Sequence, residues 1–182
     1  MDGITADVWS VAGMSLAHGG AVGLVGSGDG VWAWDLNDEA PDPRRLQGPG
    51  TVRSVATLEL QDGRALGLAG DYEGVWIYDL VAEQEEPRLL PLQGVESVTA
   101  VRLHNGRAWI IAGSDEGRVL AWDADDGSLV SSICAPGSVS SVSSAVLPDG
   151  RVALLINGTR GSACLIADTH QPPLQKGLRP GG

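Results

Sequence analysis

Three histidines, two cysteines and 23 acidic residues are the groups of this 182-residue chain that could do proton-transfer, nucleophilic or metal chemistry. His18 and His104 each stand two residues before the glycine of a turn, and His170 lies in a Pro-rich C-terminal stretch. A shared metal site would need His18 and His104 at close range, and equivalent positions of neighbouring repeat units do not supply that. Cys134 and Cys164 have no C-x-x-C partner and no nearby histidine, so neither a thiolate metal site nor a redox pair is expected. Asp71 with Glu73, and Asp115 with Glu116, are carboxylate pairs of the type used for general acid–base work. Both pairs sit in Gly-containing turns, where solvated carboxylates are the simpler expectation. The sequence has no Ser-His-Asp arrangement, no G-x-S-x-G and no G-x-x-x-x-G-K-[ST]. Gly28-Asp29-Gly30 is a turn and not a phosphate loop, because no helical pattern follows it. No catalytic residue, cofactor or metal ligand is expected.

The elements that would carry these residues repeat. The stretches GSGDGVWAWDL (26–36), GDYEGVWIYDL (70–80) and GSDEGRVLAWDA (113–124) are variants of one phrase, and GTRGSACLIAD ending at Asp168 is a weaker fourth. Asp35, Asp79 and Asp123 recur every 44 residues, with Asp168 45 further on. Such a period identifies a repeat architecture. A turn pair precedes each phrase: Gly19-Gly20, Asp62-Gly63, Asn105-Gly106 and Asp149-Gly150. These dipeptides tolerate the positive φ of tight hairpins. Alternating apolar runs flank each pair, VWSVAGMSL, VRSVATLEL, VTAVRL and VSSVSSAVL before it and AVGLVG, RALGLAG, RAWIIAG and RVALLING after it. Their alternation and β-branched content predict strands, and no 3.6-residue pattern is long enough for a helix. A weaker fourth run, PRRLQG, PRLLPLQG or SLVSSICAPG, carries prolines that suit only an outer edge strand. Four strands per unit, in four units, predict an all-β protein of about 16 strands in four sheets, the pattern of a propeller.

On these residues the chain resembles the WD-repeat family of β-propellers over about residues 8 to 175, through the Gly-Ser or acidic turn and the closing Trp34-Asp35, Tyr78-Asp79 and Trp122-Asp123, with Ala167-Asp168 as a degenerate fourth. The resemblance implies four blades, about 8–48, 52–94, 98–137 and 139–175, in one domain over 1–175, followed by a Pro/Gly tail at 176–182. The family's Gly-His before the innermost strand is absent; Gly48-Pro49, Gly94-Val95 and Pro136-Gly137 stand there. Its Ser or Thr near the end of the second strand is replaced by Val25, Ala69 and Ala112. Only the turn acids Asp29, Glu73 and Glu116 and the aromatics persist, so a full hydrogen-bonded tetrad is not expected and apolar packing between sheets must hold the blades. AWDADDGSLV (121–130) also resembles a quinoprotein propeller repeat, but the closing Trp is missing and only one unit matches.

The family resemblance implies a non-catalytic scaffold that binds a protein partner on one rim. That rim would comprise Trp9, Arg53, Asp71, Tyr72, Glu73, Asp115, Glu116 and Arg118. The alternatives are a fragment of a larger propeller and a quinoprotein-like enzyme domain with its site in the central channel. The inner strands taken as VWSV, VRSV, VTAV and VSSV hold no acid or histidine, which favours the binder. A formal charge of −11, with 12 basic residues, argues against nucleic-acid and anionic-membrane partners. The N-terminal MDGITADV has no basic signal-peptide region and no run is long enough to span a bilayer as a helix, so a cytoplasmic location is expected. PPLQKGLRPGG (172–182) reads as an outer strand and blade junction, leaving four units with open end faces. The expectation is a fragment of a longer propeller or self-association that covers those faces.

Overall fold

In a computed structural model, residues 4, 6–17, 19–37, 42–82 and 86–169 are described. They form 15 strands in four antiparallel sheets with no helix among them. Blade 1 holds β1 (Val8–Ser15), β2 (Ala21–Ser27), β3 (Gly30–Asp35) and β4 (Arg44–Arg45). Blade 2 holds β5 (Ser54–Glu59), β6 (Ala65–Gly70), β7 (Gly74–Asp79) and β8 (Arg88–Pro91). Blade 3 holds β9 (Val95–Arg102), β10 (Ala108–Ser114), β11 (Arg118–Asp123) and β12 (Leu129–Cys134). Blade 4 holds β13 (Val139–Val146), β14 (Val152–Gly158) and β15 (Gly161–Ala167). The fourth strand expected for blade 4, the tail at 176–182, His18 and His170 lie outside the described residues.

The turn pairs close the inner hairpins as their composition requires. Gly63, Gly106 and Gly150 have φ of 87°, 86° and 84°, where a Cβ would be strained. The bonds repeat from blade to blade: Leu60, Leu103 and Leu147 amides donate to the Arg64, Arg107 and Arg151 carbonyls at 2.8 Å. The preceding Asp62, Asn105 and Asp149 side chains accept from the amides of those same arginines at 3.1 Å. The outer strands are short, two residues in β4 and four in β8, and β8 ends on Pro91, as a strand with one free edge permits.

Between neighbouring blades lie three apolar cores. Leu24, Val31 and Ala33 of blade 1 meet Val52, Val55 and Ala69 of blade 2. Leu66, Leu68 and Ile77 of blade 2 meet Val95, Val98 and Ile110 of blade 3, with Trp122 among them. Trp109, Ile111 and Val119 of blade 3 meet Val142, Leu154 and Ile156 of blade 4. Among the described residues, no packing of comparable extent joins blade 4 to blade 1.

Each junction uses the same device. Gly26, Gly70 and Gly113 sit on the second strand, paired with Ser10, Ser54 and Ser97 of the innermost strand. A Cβ on these glycines would lie 2.7, 2.5 and 2.4 Å from Cγ1 of Val52, Val95 and Val139 of the following blade. The glycines are notches that receive those valines. Beside each notch the serine hydroxyl accepts the amide of the next inner strand: Val55 to Ser10 at 2.9 Å, Val98 to Ser54 at 3.0 Å and Val142 to Ser97 at 3.1 Å.

Three sequence expectations need correction. The innermost strand of blade 3 begins at Val95, not Val98, so the segment equivalent to VWSV and VRSV is VESV, which carries Glu96. In blade 4 a two-residue turn, Thr159-Arg160, joins β14 to β15 as Gly28-Asp29 joins β2 to β3, but Asp168 lies two residues further from its turn than Asp35 does. Leu165 and Ile166 therefore stand where Trp122 and Asp123 stand, and Ala167-Asp168 falls beyond them. Finally, the blade ends do not rest on apolar packing alone. Ser27, Asp71 and Ser114, each just after its notch glycine, are buried and hydrogen-bonded inside their turns.

Filling a notch should separate two sheets. Gly70→Ala is expected to cost about 1–3 kcal/mol, as overpacking of a tight contact does, whereas Gly50→Ala, with nothing within 4 Å of the added carbon, should be near neutral. Chemical denaturation of the two variants checks this; equal stabilities would refute the notch.

Candidate partner-binding rim

The inner strands place one residue per blade between the first valine and the serine: Trp9, Arg53, Glu96 and Ser140. Trp9 is half exposed, and the Arg53 guanidinium lies 6.0 Å from its ring centroid. Arg53 also pairs with Glu96 at 2.9 Å. An aromatic, a cation and an anion from three successive blades thus form one row. Trp9 and Arg53 were expected there. Glu96 was not, because the three-residue offset in blade 3 hid its equivalence.

The second-to-third-strand turns flank this row through backbone bonds to the segments that lead into the inner strands. The Gly94 amide donates to the Tyr72 carbonyl at 2.9 Å, and the Asp115 amide donates to the Gly94 carbonyl at 2.9 Å. Tyr72, at 70% exposure, is the most solvent-exposed of the described large apolar side chains, and Glu73, Asp115, Glu116 and Arg118 are exposed with it. Asp71 is different. It is buried, and one carboxylate oxygen accepts the amides of Glu73 at 2.8 Å and Gly74 at 2.9 Å. Its role is to shape the turn that presents Tyr72. Asp29 does similar work in blade 1, taking the Ser27 hydroxyl at 2.6 Å and the Trp32 indole N–H at 3.2 Å. Those two donors, Ser27 first, hold its carboxyl below the ordinary 3.8.

Arg53 and Glu96 answer each other's charge, so the Glu96 carboxylate is not a free inner-strand acid. Cys134 and Cys164 are exposed on strands far apart in sequence and form no disulfide. Among the described residues, no group of three or more His, Cys, Asp or Glu is placed to hold a metal ion. A cleft of about 40 Å³ between blades 3 and 4 is lined by Trp109, Ile111, Val119, Ile133, Val152 and Leu154, has no titratable group, and is roughly water-sized. The stretch 121–130 resembling a quinoprotein repeat comprises the end of β11, the turn at 124–128 and the start of β12. There the Asp123 and Asp126 side chains accept the Asp125 and Ser128 amides at 3.0 and 2.7 Å.

Comparison with known proteins places the fold. No family model matches the sequence, and no curated protein matches it. Among solved structures, the chain is similar to the crystal structure of the WD40 β-propeller domain of Doa1, with a TM-score of 0.67 and 21% identity. The match covers 92% of this chain and 54% of that one, so the chain spans about half the length of that structure. The protein therefore has a WD40-type propeller fold, with degenerate repeats. No helix among the described residues is long and apolar enough to cross a membrane.

Beneath the rim, Tyr78 fixes the junction from blade 1 to blade 2. Its hydroxyl donates to the Gln47 carbonyl at 2.9 Å. Burial, and secondarily the Asp71 carboxylate, push its ionisation well above the ordinary 10.0. Because the folded value is raised, the stabilisation is intact below the unfolded value and is lost as pH rises past it. The melting temperature of the wild type should fall between about pH 9 and about pH 11 more steeply than that of Tyr78→Phe. Parallel slopes in thermal melts across that range would exclude Tyr78 as the cause.

Proposed function

We propose that the protein is a non-catalytic interaction scaffold that binds a protein partner on the rim built by Trp9, Arg53, Tyr72, Glu73, Asp115, Glu116 and Arg118. The observation that carries this reading is the Trp9–Arg53–Glu96 row, an exposed aromatic and a charge pair set at the starts of three successive inner strands. Tryptophan, tyrosine and arginine are the residue types that dominate binding energy at interfaces. A surface ion pair such as Arg53–Glu96 contributes at most about 1 kcal/mol to folding, so stability alone is a weak reason for building it. Glu96 fixes the guanidinium over the Trp9 ring, which lowers the entropy lost when a partner docks there. The partner is neither nucleic acid nor anionic membrane, given the net charge of −11. On this reading the protein works in the cytoplasm and needs no cofactor.

The test replaces Arg53 and Tyr72 with alanine, singly and together, and measures affinity for the partner by calorimetry beside the melting temperature. Each single change should weaken binding at least about tenfold, the scale of a hot-spot residue, with melting unchanged. Unaltered affinity in both variants would remove the rim from the interface.

A further inference from the structure

The two end faces of the blade stack are not equivalent. On the blade 1 side, Val8 and Val11 are 49% and 69% exposed. Their counterparts in the other blades, Val52 and Val55, Val95 and Val98, Val139 and Val142, are all 6% exposed or less. The strand register gives Val11 the place of the three valines whose amides reach a serine of the preceding blade. Blade 1 therefore presents the inserting half of the junction, two valine knobs and an amide in docking register.

Blade 4 presents an altered receiving half. Ser141 pairs with Asn157, as Ser10, Ser54 and Ser97 pair with the notch glycines. An asparagine thus stands where Gly26, Gly70 and Gly113 stand. At those three positions even a Cβ would come within 2.7 Å of the incoming valine, inside any permitted carbon–carbon contact. The Asn157 amide oxygen is held by the Ser162 hydroxyl at 2.9 Å, and Ser162 itself occupies the place of Val31, Val75 and Val119. Leu155, in the register of Leu24, Leu68 and Ile111, is left 57% exposed.

We infer that Asn157 is a stop that makes the stack one-ended: blade 4 cannot receive another blade, and the open face of blade 1 takes a glycine-notched blade from a partner polypeptide. A second copy of this chain is not that partner, because the receiving face it has free is blocked by Asn157. The partner blade is specified chemically. It carries a glycine on its second strand and a serine beside it on its innermost strand.

The N157G variant supplies such a notch and serves as the probe, since it places a glycine beside Ser141 on an otherwise unchanged face. Sedimentation velocity should show the wild type as an 18.8 kDa monomer at all concentrations, while N157G gains at least about twofold in mass as concentration rises, through head-to-tail contacts. Adding Val11→Asp to N157G should return it to monomer, with circular dichroism confirming that all three proteins keep the same fold. Wild-type association that Val11→Asp dissolves would make a second copy the occupant and overturn the proposal. An N157G that folds but stays monomeric would overturn it as well.

Discussion

The closeness of adjacent sheets at the inner edge of the stack is the constraint on which the rest of this structure depends. Blades converge there, so the second strand of one blade and the innermost strand of the next approach more tightly than side chains allow. Glycine at positions 26, 70 and 113 removes the obstacle, and a valine methyl fills the space. The approach brings backbone amides toward the preceding sheet, where water is excluded and an unpaired N–H would be costly. Ser10, Ser54 and Ser97 supply the acceptors. The short side chain of serine fits because the glycine beside it leaves room, so the two residues act together. This steric fit fixes how each sheet seats on the next in a way that a bare apolar interface would not.

The same strands that make this contact carry the rim. Trp9, Arg53 and Glu96 each stand one residue before the serine, so the docking that positions the serines also sets the spacing of the row. Of the inner strands along this row, β5 and β9 are packed between neighbouring blades, whereas β1 is packed on one face only. Loops contribute the more variable part, and even there the geometry is anchored: the buried Asp71 carboxylate ties the turn that raises Tyr72. The division of labour between Asp71 and Tyr72, adjacent in sequence, follows from burial. One is 6% exposed and spends its acceptors on backbone amides, while the other is 70% exposed.

Much of this architecture was legible in the sequence because its signals are local. The turn pairs at Asp62-Gly63, Asn105-Gly106 and Asp149-Gly150 need glycine for a backbone reason, and the 44-residue spacing of Asp35, Asp79 and Asp123 follows from equal blades. What stayed hidden depends on contact between blades. The notch glycines look like weak points in a strand until the valine of the next blade is placed against them. Glu96 was missed because VTAV and VESV both fit an alternating strand, and only pairing with Gly113 fixes which serine and valine are equivalent. In blade 4 Ala167-Asp168 lies two residues further from its turn than Trp34-Asp35 does in blade 1. That shift is small in the sequence, yet it gives the places of the closing Trp and Asp to Leu165 and Ile166.

Degeneration of the repeat is therefore not uniform loss. The Gly-His element is absent throughout, and Ser27, Asp71 and Ser114 have taken over the blade ends with short, buried polar contacts. Blade 4 departs further: Asn157-Gly158 stands in place of the Gly-Ser and Gly-Asp pairs, inverting a notch followed by a buried acceptor. The inversion keeps glycine in the segment but moves it one residue along the strand, to the opposite face. There it relieves contact within its own blade, where a Cβ at Gly158 would meet the Ser138 carbonyl, and leaves the outward face obstructed. Only the face turned away from blade 3 has lost the pattern; the face packed on blade 3 keeps Val142, Leu154 and Ile156 buried. A blade that retains its inward contacts and loses its outward receptor has the physical character of an end cap.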